Sequence, residues 1–392
     1  MLAEASRVSR YTVAMRVAAY VHIRRTRLDL GQTGVGKHIS EVVRGLAQHP
    51  GVELQILGAR EDLVNGQLPP ASTLQGLPVK TFGLPRRYLE LAWATLRWPK
   101  VESWTGPVEW VYCPAEAYVA RRRAKLAVAI HSVYWFEKDT AWNLHPTFRS
   151  QRRRWARRFR RFRDSTDLLL PVSQFLADRL TALFGIPPER MRVVGNGVEE
   201  AYYHAGELDE SWRRRIGDRR YVLAVGGLTA HRGADCLLAV AGELHRRKSD
   251  LQILIAGVGE PRFSEAAAQL PNVVQLGYVG VDSGLPALMR NSTALLFPSH
   301  YETFGIPAAE AMAAGTPAVV AHFAALPEVV DEAGILIEPS QPAAIADTLE
   351  NLARDAKLRA KYVEAGRRRA EEFHWQRCVE RTFNALREFS NQ

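Results

Sequence analysis

The sequence lacks a cysteine framework, a long apolar run and a leader-like N-terminus, and each absence excludes a class of protein. Its three cysteines are odd in number and lie far apart, without metal-ligand spacing. Neither a disulfide scaffold nor a zinc site is therefore expected, and the cysteine content is consistent with a reducing cytoplasm. The longest apolar runs, such as 221–228, are far shorter than the roughly 20 residues that span a bilayer. The run 11–23 is interrupted by Arg16 and has no small-residue cleavage site, so it does not resemble a signal peptide.

The positive charge is concentrated in one half of the chain. The 392 residues are 47% hydrophobic and 24% charged, which suits a soluble globular protein of two domains. Residues 1–196 hold 31 Lys and Arg against 16 Asp and Glu, whereas the remainder holds 21 against 26. The first half, at +15, is expected to meet an anionic partner. Nucleic acid, an anionic membrane surface and a phosphorylated substrate all stay open.

Short β-branched runs alternate with amphipathic stretches in both halves. In the first half the predicted strands are 16–21, 53–57, 110–113, 125–130 and 167–171, and the predicted helices are 36–48, 87–96, 147–163 and 173–184. In the second half the predicted strands are 221–225, 251–256, 273–276, 294–298, 317–320 and 334–337, and the predicted helices are 233–247, 284–291, 307–314, 342–354 and 357–373. This alternation predicts an α/β fold of two Rossmann-like, doubly wound domains that face each other across a cleft.

A turn-forming cluster, Gly195-Asn196-Gly197, follows a predicted strand at 192–194 and marks the domain boundary. The first domain is expected to cover 1–196 and the second 197–373. Residues 374–392 are expected to form a C-terminal helix that returns to the first domain.

The segment from Gly31 to His38 matches a Walker A loop in its glycines and lysine only. Its last position is His where Ser or Thr must hold Mg²⁺, and about nine residues separate the strand from Gly31. The segment is more typical of a Gly-rich loop, in which Gly34 and Gly36 let the backbone approach a ligand or a helix end.

The strongest functional motif lies at 299–317. An apolar strand runs into a loop that contains Glu302, and a helix follows with Glu310 one turn inside it. Backbone N–H groups and the positive end of that helix favour an anionic group. Two carboxylates beside such a site can accept hydrogen bonds from sugar hydroxyls. Either glutamate alone would be interpreted as a solvated surface acid.

This motif resembles the Glu–seven residues–Glu motif of the retaining family 4 glycosyltransferases, which have the two-domain GT-B fold. The resemblance covers most of the chain. Further segments that are similar to the family in order and spacing are 15–57, 127–131, 168–180, 194–199, 225–233 and 326–334. Segments 86–93 and 326–329 most resemble bacterial polysaccharide mannosyltransferases, which implies GDP-mannose as the donor, with UDP-sugars next.

The resemblance implies a donor-binding set and a catalytic pair. The donor-binding residues, which would contact the ribose, sugar or diphosphate of a nucleotide sugar, are Gly34, Gly36, Arg232, Thr303, Phe304, Gly305, Ile306 and Glu310. The implied catalytic residues are Glu302 and His131, and His131 would reach the sugar near the reacting carbon. The alternative for His131 is a structural histidine at the end of a strand, with its hydrogen bonds satisfied by the protein and no role in catalysis. The first domain would hold the acceptor and the second the nucleotide sugar.

Two positions depart from the family pattern. The family often has Arg where this chain has Gly227, so one diphosphate cation is missing, and the bidentate Arg232 is expected to compensate in part. Ser132 follows His131 where Asp is common, so no charge assistance to that histidine is expected from this position. No Asp-x-Asp motif is present, so neither a metal nor another cofactor is expected. No protein nucleophile is evident, and the family's usual proposal is front-face attack by the acceptor hydroxyl.

Residues 152–163 contain eight arginines in twelve positions, with three aromatic residues on one helical stripe. The simpler interpretation is that the stripe packs on the sheet and the arginines are solvated. The alternative is a basic face toward anionic lipid headgroups or a lipid diphosphate acceptor. The arginines assigned to this face are Arg153, Arg157, Arg160 and Arg161. Nucleic-acid binding would need a recognition module, and none is present.

Together these features predict a retaining, metal-independent hexosyltransferase of cell-surface polysaccharide synthesis. Its partners would be a GDP- or UDP-linked sugar and a glycan or lipid-linked acceptor, without nucleic acid. It is expected in the cytoplasm, peripheral at the inner face of the membrane. The alternative is a non-catalytic nucleotide- or nucleic-acid-binding protein that keeps the same fold.

Overall fold

Short runs of Val, Ile, Leu and Ala form two parallel sheets, one in each half of the chain. The structure, a computed structural model, describes residues 14–27, 33–137 and 146–391. The chain divides into two compact units. Unit 1 comprises Met1–Asn196 with Trp375–Gln392, and unit 2 comprises Gly197–His374. The predicted α/β fold with two parallel sheets is confirmed.

The sheet of unit 1 has six parallel strands. They are β1 (Met15–Tyr20), β2 (Val52–Ala59), β3 (Val79–Phe82), β4 (Trp110–Cys113), β5 (Lys125–Ile130) and β6 (Leu168–Pro171). They pair in the order β3-β2-β1-β4-β5-β6. Every residue of β4 and β6 is buried, as expected of strands covered on both faces. The strand order reverses beside β1, and sheets of this kind bind ligands at such a point.

The helices described in unit 1 before the boundary are α1 (Gly34–Gln48), α2 (Arg86–Thr95), α3 (Glu102–Thr105), α4 (Pro146–Ser165) and α5 (Gln174–Phe184). α1 begins after Thr33, whose side chain accepts a hydrogen bond from the Gly36 N–H at 3.2 Å. α5 begins in the same way, because the Ser173 hydroxyl accepts from the Leu176 N–H. Such caps satisfy N–H groups that a helix leaves unpaired in its first turn.

The sheet of unit 2 repeats the topology of unit 1. Its strands are β7 (Tyr221–Val225), β8 (Gln252–Ala256), β9 (Val273–Gly277), β10 (Leu295–Phe297), β11 (Ala318–Ala321) and β12 (Ile335–Ile337). They pair in parallel in the order β12-β11-β10-β7-β8-β9. The order reverses between β7 and β10, so the loops after these two strands flank the expected ligand position.

The helices of unit 2 are α6 (Glu200–Tyr203), α7 (Glu210–Ile216), α8 (Ala234–Arg246), α9 (Pro261–Ala268), α10 (Leu285–Arg290), α11 (Ile306–Ala314), α12 (Leu326–Val330), α13 (Pro342–Arg354) and α14 (Ala356–Ala370). Residues 308–314 of α11 are all buried. A helix that is buried on all sides lies inside its domain. The packing around α11 therefore fixes the position of its N-terminus.

The last helix, α15 (Trp375–Ser390), packs in unit 1 beside α1. Its buried Val379 and Phe383 enter the core of that unit. A Cβ added at Gly45 of α1 would lie 2.3 Å from Val379 Cγ2. Glycine at this position therefore lets the two helices approach closely.

The structure differs from the sequence-based prediction in one strand that was wrongly predicted and in one strand and five short helices, α3, α6, α7, α9 and α12, that were not predicted. The strand β3 was not predicted; it lies at the edge of the sheet, and its central Lys80 and Thr81 are exposed. The predicted strand at 192–194 forms no strand in the described chain. Arg192 N–H and Val194 N–H donate to carbonyls of β6, both at 3.0 Å, but the segment is too short for a regular ladder.

Candidate active site

In unit 2 the loops after β7 and β10 lie side by side. The His300 N–H and the Ser299 hydroxyl both donate to the His231 carbonyl, at 3.0 and 3.2 Å. Gly233 has a φ of 72°, and a Cβ there would lie 2.2 Å from the Pro298 carbonyl oxygen. Only glycine allows this contact, which brings the functional residues of the two loops together.

Arg232 and Glu302 form an ion pair between these loops. The distance from Arg232 Nη1 to Glu302 Oε1 is 3.0 Å, and the Ser299 hydroxyl donates to the same oxygen at 3.0 Å. Burial raises the pKa of Glu302 above its ordinary value, although Arg232 and Ser299 favour the charged form. The sequence predicted that both residues belong to one site, and the structure places them in contact.

The helix α11 begins next to this pair. Its N-cap is Gly305, with a φ of 97°, and a Cβ there would lie 2.5 Å from Leu326 Cδ2. The Glu302 carbonyl accepts from the Ala325 N–H at 3.0 Å, which holds the loop. The buried Phe304 ring packs edge-on against Phe373, 5.7 Å between ring centroids. The Phe304 side chain is therefore not available to a ligand. Its backbone is available, and it lies beside the positive end of the helix α11.

Glu310 lies in the second turn of α11 and is buried, with 5% of its surface exposed. The helix α6 packs against α11. Burial, and then the charge of Glu310, raise the pKa of the Tyr202 hydroxyl of α6. A buried carboxylate requires polar partners. The interpretation of Glu310 as a solvated surface acid is therefore wrong.

Gly227 has a backbone reason for departing from the family pattern. Its φ is 77°, and a Cβ there would lie 2.1 Å from the Val258 carbonyl oxygen. A Cβ at Gly257 would in turn lie 2.3 Å from the Gly227 nitrogen. The loops after β7 and β8 thus touch backbone to backbone, and an arginine side chain does not fit at position 227 without moving them.

Two exposed apolar residues of unit 2 were missed by the sequence analysis. Val258 is the second residue after β8, Tyr278 is the first after β9, and each is 75% exposed. The bridge between Gly257 and Gly277 joins their two loops, with the Gly257 N–H donating to the Gly277 carbonyl at 2.7 Å. An aromatic residue two positions after the predicted strand 273–276 was the signal available in the sequence.

In unit 1, His131 directly follows β5 and is buried, with 6% of its surface exposed. Its Nε2 lies 2.9 Å from the Pro114 carbonyl oxygen, so Nε2 carries the proton and donates. The Glu116 carboxylate accepts from the backbone N–H groups of His131 and Ser132, at 2.6 and 3.2 Å. Glu116, which the sequence analysis missed, therefore fixes the loop in which His131 lies.

The Walker-like segment ends in a buried histidine. Gly31 and Gln32 lie outside the described residues, and Gly34 and Gly36 lie in the first turn of α1. His38 Nδ1 lies 2.8 Å from Asn196 Oδ1, and the His38 ring is edge-on to His131 with 4.6 Å between centroids. Burial, and then His131, lower the pKa of His38 to about 3. A neutral, buried histidine at this position agrees with the sequence argument against a Walker site.

The arginines of α4 differ in exposure. Arg153, Arg157 and Arg160 are exposed, whereas Arg161 is half-buried and donates to the Ala94 carbonyl. Phe159 and Phe162 on the same helix are fully buried. The aromatic stripe is therefore a packing surface. No helix within the described ranges combines the length and apolarity needed to cross a bilayer.

The candidate residues fall into two groups. Arg232, Glu302, the 303–306 backbone and Glu310 lie in unit 2, around the start of α11. Gly34, Gly36 and His131 lie in unit 1.

Comparisons with known proteins identify both halves of the chain. Residues 32–202 match the family described as Glycosyltransferase Family 4, and residues 209–369 match the Glycosyl transferases group 1. The chain is 25% identical over 372 residues to O-antigen chain mannosyltransferase B of Escherichia coli, covering 91% of this chain and 96% of the relative. It is 30% identical over 236 residues to an uncharacterized glycosyltransferase of Methanocaldococcus jannaschii, covering 56% of this chain but only 59% of that relative.

Solved structures share the fold. HepE of Anabaena, crystallised with UDP and glucose, aligns with a TM-score of 0.68 at 16% identity, over 95% of this chain and 99% of that one. The GT-B fold class expected from the sequence is confirmed by such matches.

Proposed function

The chain carries a Glycosyltransferase Family 4 domain and a Glycosyl transferases group 1 domain, and we propose that it transfers a hexose from a nucleotide sugar to a glycan or lipid-linked acceptor. The observation that carries this proposal is the Arg232–Glu302 pair beside the N-terminus of α11, with Glu310 buried one turn further along. A guanidinium and a helix N-terminus suit a diphosphate, and carboxylates suit ribose and sugar hydroxyls.

The nucleoside half of the donor would lie at Glu310 and the two exposed residues after β8 and β9. Glu310 would accept hydrogen bonds from the ribose. Val258 and Tyr278 offer apolar surface for the base, and an exposed aromatic ring suits stacking. GDP is the proposed nucleotide and UDP the second candidate; HepE was crystallised with UDP.

Mannose is the proposed sugar, since the E. coli relative is named a mannosyltransferase. The bond from the anomeric carbon to the β-phosphate oxygen breaks, and the acceptor hydroxyl bonds that carbon on the same face, which retains the configuration. The acceptor proton passes to the departing phosphate oxygen. Glu302 would hold the sugar, and His131 would lie near the reacting carbon.

We further propose that no metal takes part. Arg232 and the N-terminus of α11 would stabilise the charge that develops on the leaving diphosphate. Transfer is therefore expected to persist in EDTA. Activity that is lost in EDTA and restored by Mg²⁺ would contradict this part of the proposal.

We propose that unit 1 binds the acceptor. The protein would then act in the cytoplasm, as a peripheral protein at the inner face of the membrane. The exposed Arg153, Arg157 and Arg160 of α4 are the support for membrane contact. Anionic lipids attract nearby basic residues by about 1 kcal/mol each.

A thermal-shift screen with GDP, UDP and ADP, each also in sugar-linked form, tests the proposal. Ligand at about 100-fold over Kd should add about 2.7 kcal/mol of stability for the correct nucleotide. No shift with any nucleotide would contradict it. A shift without any sugar transfer would favour the non-catalytic alternative.

A further inference from the structure

Unit 1 contains a cavity of about 950 Å³ between α2 and α4 that the proposed donor site does not use. Residues of both helices and Tyr118 line it. The arginines that line it are Arg86, Arg87, Arg157, Arg158 and Arg161, and the carboxylates among its lining residues are Glu61 and Glu90. Five arginines against two carboxylates give the lining an excess of positive charge, which favours an anionic ligand.

Two of these arginines are already matched by carboxylates. Arg86 forms an ion pair with Asp62, and Arg158 lies 3.6 Å from Glu90. Burial alone would raise the pKa of Glu90, but His22, at 3.2 Å, and the nearby arginines outweigh it and lower that pKa. Glu90 is therefore charged at neutral pH, and its charge offsets that of the adjacent Arg158.

The other three arginines have no carboxylate within ion-pair distance in the described part of the chain. Arg161 donates to the Ala94 carbonyl and lies 4.9 Å from the centroid of the Tyr118 ring. Arg87 lies 4.4 Å from the centroid of the exposed Tyr88 ring. Arg157 is exposed and precedes Arg161 by four residues, which places both on one face of α4. Three uncompensated guanidiniums suit a diphosphate better than the single charge of a phosphodiester.

An apolar surface adjoins the cavity. Nine large hydrophobic residues of the described chain are exposed, and five of them lie on α2 or beside its ends. These five are Leu84, Tyr88, Leu91, Leu96 and Trp98. Leu91 also lines the cavity. Exposed apolar side chains concentrated in one segment mark a binding surface, here continuous with the arginines.

We propose that this cavity binds the diphosphate of a lipid diphosphate, with the lipid chain along the exposed face of α2. The proposal rests on the proposed function, because it names the acceptor class of that transfer. The substrate would then be supplied by a reaction that joins a sugar to a lipid through a diphosphate.

Farnesyl diphosphate is a water-soluble probe of this site, with farnesol and inorganic diphosphate as its two halves. Calorimetric titration should show farnesyl diphosphate binding more tightly than either half. Arg87→Gln combined with Arg157→Gln should weaken it at least ten-fold. The matched control, Arg122→Gln combined with Arg123→Gln, removes the same charge from exposed positions of unit 1 that do not line the cavity, and should bind as the wild type does.

Arg161→Lys keeps the charge but not the planar fork, and should weaken binding by a smaller factor. Equal affinity of the Arg87/Arg157 variant and the wild type would overturn the proposal. So would dihexanoyl phosphatidylglycerol binding as tightly as farnesyl diphosphate, because that result would assign the cavity to bulk lipid headgroups. The nucleotide screen reports on unit 2 alone, so a failed screen with intact farnesyl diphosphate binding would reject the proposed function and not the cavity.

Discussion

At the residue scale, Arg232 and Glu302 determine the charge of the proposed donor site. A guanidinium has five N–H donors in a fixed fork. The 3.0 Å contact with Glu302 is made by Nη1, so a diphosphate can bind the remaining edge without displacing the glutamate. The ion pair then orients the guanidinium, and Ser299 orients the carboxylate from the other side.

Arg232→Gln and Glu310→Gln should each weaken binding of the cognate nucleoside diphosphate. Each change removes a charge-assisted hydrogen bond of about 1.5–3 kcal/mol, roughly ten- to a hundred-fold in Kd. Titration calorimetry measures this directly. Arg214→Gln, at an exposed position of unit 2, is the control and should leave Kd unchanged. Unaltered affinity in both site variants would reject the assignment of this site.

His38 should make the stability of unit 1 depend on pH. Its pKa is lowered to about 3 in the folded state, whereas an unfolded histidine titrates near 6.5. The unfolded state therefore takes up a proton that the folded state excludes, and stability falls as pH drops below about 6.5. Between pH 7.5 and 5.0 this contribution is on the order of 2 kcal/mol.

His38→Phe removes that titration and also the Asn196 hydrogen bond. The variant should be less stable at pH 7.5 but lose less stability on going to pH 5.0, as measured by urea unfolding at both values. Parallel losses in the wild type and the variant would show that His38 does not titrate in this way.

The residues that the sequence identified share one property: they lie in contiguous motifs. Glu302 and Glu310 stand in a single segment of strand, loop and helix, so their proximity follows from local spacing. Glu116 and the backbone contact at Gly227 were not foreseen, because each depends on a loop distant in sequence. Such contacts are fixed by tertiary packing, which no short pattern records.

At the element scale, buried strands were predicted well because both of their faces are apolar. β4 and β5 agree with the prediction at both ends. β3 was missed because it is a half-exposed edge strand without an apolar pattern. The helices α3, α6, α7, α9 and α12 were missed because they are short. The aromatic stripe of α4 was recognised from its spacing, and the structure packs Phe159 against Phe184 with 4.7 Å between stacked rings.

Phe159→Ala should destabilise unit 1 by about 3–5 kcal/mol, because it leaves a cavity at a fully buried ring. Urea unfolding monitored by tryptophan fluorescence gives the free-energy change. Arg160→Ala, on the exposed side of the same helix, should change stability by no more than about 0.5 kcal/mol. A loss of less than 1 kcal/mol for Phe159→Ala would mean that α4 is not anchored by its stripe.

At the scale of the whole molecule, the two halves of the chain differ in net charge, and the proposed partners differ accordingly. Residues 1–196 carry the positive excess, and the remainder is acidic overall. An acceptor at an anionic membrane is therefore proposed for unit 1. In unit 2, which is acidic overall, the proposed donor site would bind the diphosphate through Arg232 and the N-terminus of α11.

Replacing Arg153, Arg157, Arg160 and Arg161 by Gln should reduce binding to anionic vesicles in a sedimentation assay and leave nucleotide affinity intact. Wild-type binding should weaken with salt, because the interaction is screened beyond about 10 Å at 0.1 M. A control with four exposed arginines of unit 2 replaced, Arg213, Arg214, Arg246 and Arg262, should sediment as the wild type does. Equal sedimentation of all three proteins would show that the arginines of α4 are solvated and do not bind the membrane.

The most direct test of sugar transfer is the release of nucleoside diphosphate from a panel of nucleotide sugars, with and without bacterial lipid extract. The wild type should release one nucleoside diphosphate, GDP by expectation, faster when lipid is present. Glu302→Ala and His131→Ala should lower kcat by about 100-fold or more while nucleoside diphosphate affinity changes less. Wild-type turnover in both variants, or no release from any nucleotide sugar, would contradict the account.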